Sequence, residues 1–145
     1  MDSALYEQVK LRPGRPSDLN FILQSWCKSL RCSDTFKKMP SSLYWRKIKD
    51  LSTHFLSCKD TVVLCSKDCD DQILAWMCYE RLDEPGINTV YFAYTKRPFR
   101  KLGAITYLFA QIFGDDPTQY VFSTADAHAA AKRLKAIYNP FQIMR

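Results

Sequence analysis

The stretch Thr89–Phe113, TVYFAYTKRPFRKLGAITYLFAQIF, constrains the fold more than any other part of the chain. A β-rich run enters a loop bearing Lys96, Arg97, Arg100, Lys101 and Gly103, and beyond it Ile105, Leu108, Phe109 and Ile112 recur at helical spacing. The apolar side of that helix anchors the loop to a core. The first turn of a helix leaves backbone N–H groups without intrahelical partners, and with the helix dipole they favour an anion. A glycine lets the anion approach the backbone closely. Four cations and no carboxylate surround that glycine, so the junction reads as a phosphate site.

The flanking sequence places this junction in a larger order. Tyr6–Arg12 is strand-like and ends at Pro13, after which Pro16, Ser17 and Asp18 open a helix. Leu19, Ile22, Leu23, Trp26, Cys27 and Leu30 form the apolar stripe of that helix. A polar, basic passage from Arg31 to Pro40 leads to a second helix, capped by Ser41 or Ser42, with Tyr44, Ile48, Leu51 and Phe55 facing inward. The period then changes. TVVLCS from Thr61, QILAWMCYE from Gln72 and NTVYFAYT from Asn88 are short β-rich runs joined by KDCDD and DEPG, turn chemistry suited to antiparallel hairpins.

After the phosphate-loop helix, stopped by Gly114 and Pro117, the spacing predicts a strand over Tyr120–Thr124, a helix over Asp126–Ile137 capped by Asp126, and a closing strand in YNPFQI. The predicted order β-α-α-β-β-β-α-β-α-β is that of an α+β sandwich, with helices flanking a central, mixed, mostly antiparallel sheet. At 145 residues, 47% of them hydrophobic, residues 1–145 are expected to form one domain.

Composition narrows the setting. The longest apolar run, Ile73–Tyr79, is far shorter than a membrane span, and MDSALYEQ lacks the features of a signal peptide, so a cytoplasmic protein is expected. Of six cysteines, Cys27, Cys65 and Cys78 fall in apolar patterns and Cys32, Cys58 and Cys69 near polar turns. No Cys-x-x-Cys or paired-histidine spacing completes a zinc site, so no metal is expected and the thiols are read as reduced. The formal charge of +6 permits a nucleic-acid, acidic or polyanionic partner.

The hexapeptide Arg100-Lys101-Leu102-Gly103-Ala104-Ile105 resembles the acetyl-coenzyme A motif of the GNAT superfamily of N-acetyltransferases, Gln/Arg-x-x-Gly-x-Gly/Ala. The arginine and glycine match, whereas Ile105 stands where the family carries a small residue. The order of elements is similar over nearly the whole chain. The resemblance implies acetyl transfer from acetyl-coenzyme A to a primary amine by direct attack, with the acceptor unspecified. It implies a fourth strand, Asn88–Thr95, that splays from the fifth beside a bulge, so that Ala93, Tyr94 and Thr95 hold the pantetheine arm. Arg100, Lys101, Leu102, Gly103 and Ala104 would hold the phosphates.

The family's usual glutamate on the fourth strand corresponds to a position near Thr89, and its usual tyrosine in the last helix to the turn Lys132–Lys135, which has none. Glu80, at the end of the neighbouring strand, becomes the candidate base, set against a salt-bridged strand end, with Glu84 the other nearby carboxylate. Ser123 or Thr124 would supply a hydroxyl, Tyr138 reads as packing and His128 as a surface residue. These departures leave a second reading open. In it the chain is a GNAT-like protein with altered chemistry that serves as a binding module or a nucleobase-modifying protein on nucleic acid, similar to the Mom-type DNA-modification proteins.

Overall fold

Six strands in the spatial order β1-β2-β3-β4-β5-β6 form one sheet in a computed structural model that describes residues 6–81, 87–122 and 124–141. The strands are β1 (Val9–Pro13), β2 (Asp60–Ser66), β3 (Ile73–Glu80), β4 (Asn88–Thr95), β5 (Thr118–Tyr120) and β6 (Ile137–Tyr138). The helices are α1 (Leu19–Arg31), α2 (Ser41–Cys58), α3 (Ala104–Phe113) and α4 (Ala125–Leu134). The first four strands pair antiparallel, and the β4–β5 and β5–β6 pairs are parallel. This is the mixed, mostly antiparallel α+β sandwich that the periodicity predicts.

The sheet is buried on both faces, which explains why β3, ILAWMCYE, reads as an almost continuous apolar run rather than an alternating one. On one face α1 and α2 contribute Ile22, Trp26, Leu30, Tyr44, Ile48 and Phe55 to a core with Val63 and Trp76. On the other, Ala104, Leu108 and Phe113 of α3 meet Val62, Leu74 and Met77. Polar bonds fix the helices to these cores. The Trp76 indole donates to Ser25 Oγ at 2.9 Å, and Tyr44 Oη donates to the Cys27 carbonyl. Asp18, buried at the entry to α1, accepts two bonds from the Arg12 guanidinium at 2.6 and 2.9 Å and one from the Arg15 N–H at 2.8 Å. Burial opposes ionisation of Asp18, yet the Arg12 bonds outweigh it and hold the carboxyl below its ordinary range.

Several boundaries differ from the sequence reading, each for a physical reason. Strand β1 begins at Val9 rather than Tyr6 and includes Pro13, which a sheet edge tolerates because a donor is missing only there. Pro16–Asp18 form a single 3-10 turn before α1, and Leu19, expected in the stripe, is 40% exposed. The α2 cap position is Pro40, not Ser41 or Ser42, with no side-chain cap bond. In α4 the cap is Thr124, whose Oγ1 accepts from the Ala127 N–H at 3.0 Å, so Asp126 is a first-turn residue rather than the cap. That helix ends at Leu134, three residues early, where Lys135 turns left-handed.

Closing strand β6 has two residues, and Gln142 and Ile143 of the expected strand lie outside the described residues, as do Glu84 and the DEPG turn. Among the described residues no helix is long and apolar enough to cross a membrane, and no group of three His, Cys, Asp or Glu side chains converges.

Candidate active site

The parting of β4 from β5 opens a cleft. The two strands pair at Asn88–Thr118, Thr89–Gln119 and Val90–Tyr120, and pairing stops there although β4 runs on to Thr95. The fifth strand expected over Tyr120–Thr124 is therefore observed over Thr118–Tyr120, because Val121 and Phe122 follow a path away from β4 and have no ladder partner on it.

On its other side β4 is irregular too: Cys78 pairs with Phe92 but Tyr79 pairs with Val90, leaving Tyr91 as the extra residue of a β-bulge. A buried polar chain pins the strands at the point of divergence. The Gln119 amide donates to Thr89 Oγ1 at 2.8 Å and the Asn139 amide donates to Gln119 Oε1 at 3.0 Å. Thr89, near which the resemblance implies a glutamate, is thus fully buried and structural.

The cleft holds about 920 Å³ and runs between β4, the loop before α3, and α4, reaching Ser29 of α1. Ala93, Tyr94, Thr95, Arg100, Lys101, Leu102, Gly103 and Ala104 all line it. The loop that closes it is shaped by two left-handed residues, Lys101 at φ 68° and Gly103 at φ 81°, the latter the N-cap of α3. The first turn of α3 is closed by the Tyr107 N–H donating to the Gly103 carbonyl at 3.0 Å, so the N–H groups of Ala104, Ile105 and Thr106 have no partner within the helix.

Arg100 braces the loop against β4: its Nε donates to the Thr95 carbonyl at 3.0 Å and its guanidinium lies 5.8 Å from the Tyr94 ring. Lys96 lies 5.1 Å from the Phe21 ring, which ties the loop to α1. Ile105 lines the cleft and packs against the core beneath α3. Arg100, Lys101 and Arg133 make the lining cationic, with Asp126 the carboxylate among the described lining residues.

Glu80 is not among the cleft-lining residues. Its carboxylate accepts from Lys59 Nζ at 2.8 Å and from Tyr91 Oη at 3.2 Å, and the partnership raises the Lys59 pKa. Tyr91 lines the cleft, while its ring is buried against Phe55 of α2. Ser123 lies outside the described residues. Thr124 lines the cleft, with its hydroxyl accepting the α4 cap bond.

Two functional candidates escaped the sequence reading. Tyr120 lines the cleft where the strands diverge, and its hydroxyl is hydrogen-bonded to Nδ1 of His128 on α4. A strand tyrosine and a helix histidine eight residues apart carry no recognisable spacing; only the β5–α4 geometry joins them.

No family model matches the sequence, and no curated protein matches it. Solved structures do match in fold. Histone acetyltransferase HPA2 and related acetyltransferase from Corynebacterium glutamicum superposes with a TM-score of 0.63 at 14% identity, over 88% of this chain and 83% of that one. An acetyltransferase of GNAT family from Staphylococcus aureus Mu50 gives 0.56 at 9% identity, over 86% and 82%. The fold is that of the GNAT superfamily. A third neighbour, a predicted acetyltransferase with acetyl-CoA from Clostridium acetobutylicum, gives 0.58 at 11% identity, over 86% and 87%. The splayed β4–β5 pair and the bulge expected of a GNAT fold are both present in this chain.

Proposed function

We propose that this chain is an acetyl-CoA-dependent N-acetyltransferase that transfers acetyl to a primary amine by direct attack within a ternary complex. The observation that carries the reading is the cleft between the diverging β4 and β5, closed at one end by the cationic Lys101–Gly103 loop at the N-terminus of α3. A pantetheine arm needs backbone partners, which the edge of β4 that β5 leaves unpaired around Ala93 and Tyr94 supplies, with the Thr95 carbonyl held by Arg100. A pyrophosphate needs N–H donors and positive charge, which Leu102–Ala104, Lys101 and Arg100 supply. The solved neighbour with acetyl-CoA supports the same co-substrate.

Main-chain N–H groups beside the β4 bulge would polarise the thioester carbonyl as the amine attacks. Holding amine and thioester together supplies much of the rate, since a deprotonated amine is already a competent nucleophile. Glu80 is assigned the amine's proton, received through water rather than by contact, since its carboxylate stands outside the cleft lining. The test is mass-spectrometric detection of acetylated product from a panel of amines, nucleobases included, incubated with acetyl-CoA. Acetylated product that vanishes in Gly103→Asp is the expected result, and absence of product from every acceptor, with coenzyme still bound, contradicts it.

A further inference from the structure

We propose that the acetyl acceptor is a ring-conjugated amine, the amino group of an aniline or a nucleobase, and that it enters from the α1 side onto a wall formed by Phe92, Tyr94 and Phe122. The inference rests on the acetyl-transfer reading and names the substrate class of that site. It starts from how the cleft crosses the sheet. Ala93, Ile105 and Phe109 belong to the core beneath α3, whereas Phe92, Tyr94 and Phe122 belong to the core under α1 and α2, and all of them line the one cleft. The cleft therefore passes between β4 and β5 from one face of the sheet to the other. The α3 loop with its phosphate-binding groups stands on the first face, and Ser29 of α1 marks the mouth on the second. A coenzyme held by the α3 loop leaves the α1 mouth to the acceptor.

The wall on that side is aromatic and held from within. Phe92 and Tyr94, two residues apart on β4, share a face and are each half-buried. Fully buried Trp26 stacks on Phe92 with ring centres 5.4 Å apart and meets Phe122 edge-on at 6.1 Å, while Phe92 and Phe122 lie edge-on at 6.3 Å. Tyr94 is held in the same way, 6.4 Å from buried Trp76 and 6.0 Å from Phe21 of α1. Rings fixed by their neighbours lose little freedom when a flat ligand packs on them, so the wall favours a planar ring.

Charge selects the kind of amine. Lys96 Nζ lies 5.1 Å from the Phe21 ring and the Arg100 guanidinium 5.8 Å from the Tyr94 ring, so two cations flank this wall, and exposed Lys28 precedes Ser29 on α1. Asp126, the carboxylate among the described lining residues, stands on α4, whose Ala127 and Ala131 pack with the α3 core rather than with Phe92 and Tyr94. An alkylamine, with a pKa of about 10, would arrive as an ammonium ion and be repelled. A ring-conjugated amine shares its lone pair with the ring and arrives uncharged, so no proton has to leave before attack. The lone pair then bonds to the acetyl carbon, the carbon–sulfur bond breaks and its electron pair goes to sulfur. One N–H proton passes to water and on to Glu80, and the thiolate takes a proton from solvent.

The experiment uses the full chain with acetyl-CoA and two isomeric amines, 4-methylaniline and benzylamine, which differ in whether the nitrogen is joined to the ring; cytidine is the nucleobase arm. Calorimetry first establishes coenzyme binding. No binding, or binding without product from any amine, overturns acetyl transfer and this inference together. With product formed, kcat/KM at neutral pH is expected to be at least about tenfold higher for 4-methylaniline or cytidine than for benzylamine, and whichever of the two is better identifies the source of the ring. Equal or better use of benzylamine overturns the inference while leaving acetyl transfer intact. Ser29→Trp, on the exposed side of α1, tests the entry side: it is expected to raise KM for the ring-conjugated amine at least about fivefold with acetyl-CoA affinity within about twofold of wild type. Unchanged KM in a folded Ser29→Trp protein overturns entry from the α1 side.

Discussion

Tyr91 and Phe92 are consecutive residues of β4, yet both side chains pack on the same face of the sheet. Tyr91 lies 4.5 Å from Phe55 of α2 and Phe92 lies 5.4 Å from Trp26 of α1. Alternation along a strand forbids this unless a residue is inserted, and the register shift between Cys78 and Tyr79 is that insertion. The bulge re-aims the rest of β4, so that the residues beyond it line the cleft instead of pairing with β5.

The bulge residue should therefore matter to both stability and shape. Tyr91→Ala is expected to cost about 3–5 kcal/mol, the range for removing a buried aromatic. Tyr91→Phe, which keeps the ring and loses the bond to partly exposed Glu80, should cost about 1 kcal/mol. Urea unfolding with unchanged m-values measures both. Equal losses for the two variants would mean that the Tyr91 ring contributes little.

The Arg12–Asp18 pair is expected to show the asymmetry of a buried ion pair, with side chains only 6% and 4% exposed. Asp18→Ala should destabilise by about 3–5 kcal/mol by stranding the guanidinium, while a double replacement by apolar residues of similar volume should cost less. The pH dependence has a defined sign. The Asp18 carboxyl is held below its ordinary value of 3.8, so its contribution is present above that pH and is lost as the pH falls through the folded-state value. Surface Asp70, held down to about 2 by Lys10 and Arg15, acts in the same direction but is weakened by salt. Acid unfolding below about pH 4 should become shallower in Asp18→Asn.

Loop strain gives a third test. Lys101 occupies a left-handed conformation that costs a non-glycine residue about 1 kcal/mol, so Lys101→Gly should raise the thermal midpoint while removing a cation from the cleft. Higher stability with weaker coenzyme binding is the expected combination. An unchanged midpoint would show that the left-handed turn carries no strain.

The cysteines report on the fold independently. Cys27, Cys65 and Cys78 are buried and Cys32, Cys58 and Cys69 exposed, and burial pushes the Cys78 thiol up to about 12. Alkylation of the native protein should modify the three exposed thiols rapidly and the buried three only on unfolding. Mass spectrometry of labelled peptides reads this directly, and early modification of Cys78 would contradict the placement of β3.

Much of the fold is legible in the sequence because the buried faces carry strong periodicities. Ile22, Trp26 and Leu30 mark α1, and the limits of β4, Asn88–Thr95, are read to the residue. The glycine and cations of the α3 junction also announce the cleft's closed end. What is not legible depends on contacts between distant segments. Thr118–Tyr120 is shorter than its β-rich run because pairing ends where β5 leaves β4, a tertiary event without local signal. Pro40 takes the position expected of a serine cap, and Leu19 is left exposed at the start of its stripe. Glu80 turns away from the cleft lining because Lys59 at the end of α2 claims its carboxylate, and no spacing joins residues 21 apart. The Tyr120–His128 bond arises in the same way, from a strand and helix brought together by the fold.

The central claim, that the β4–β5 cleft and its α3 loop hold acetyl-CoA, is tested most directly by calorimetric titration of wild type and Gly103→Asp with acetyl-CoA. The account predicts saturable binding to wild type at roughly micromolar affinity, about −8 kcal/mol, and loss of binding in a Gly103→Asp protein that remains folded. Equal affinities in the two proteins, or no binding to wild type at millimolar acetyl-CoA, would contradict it.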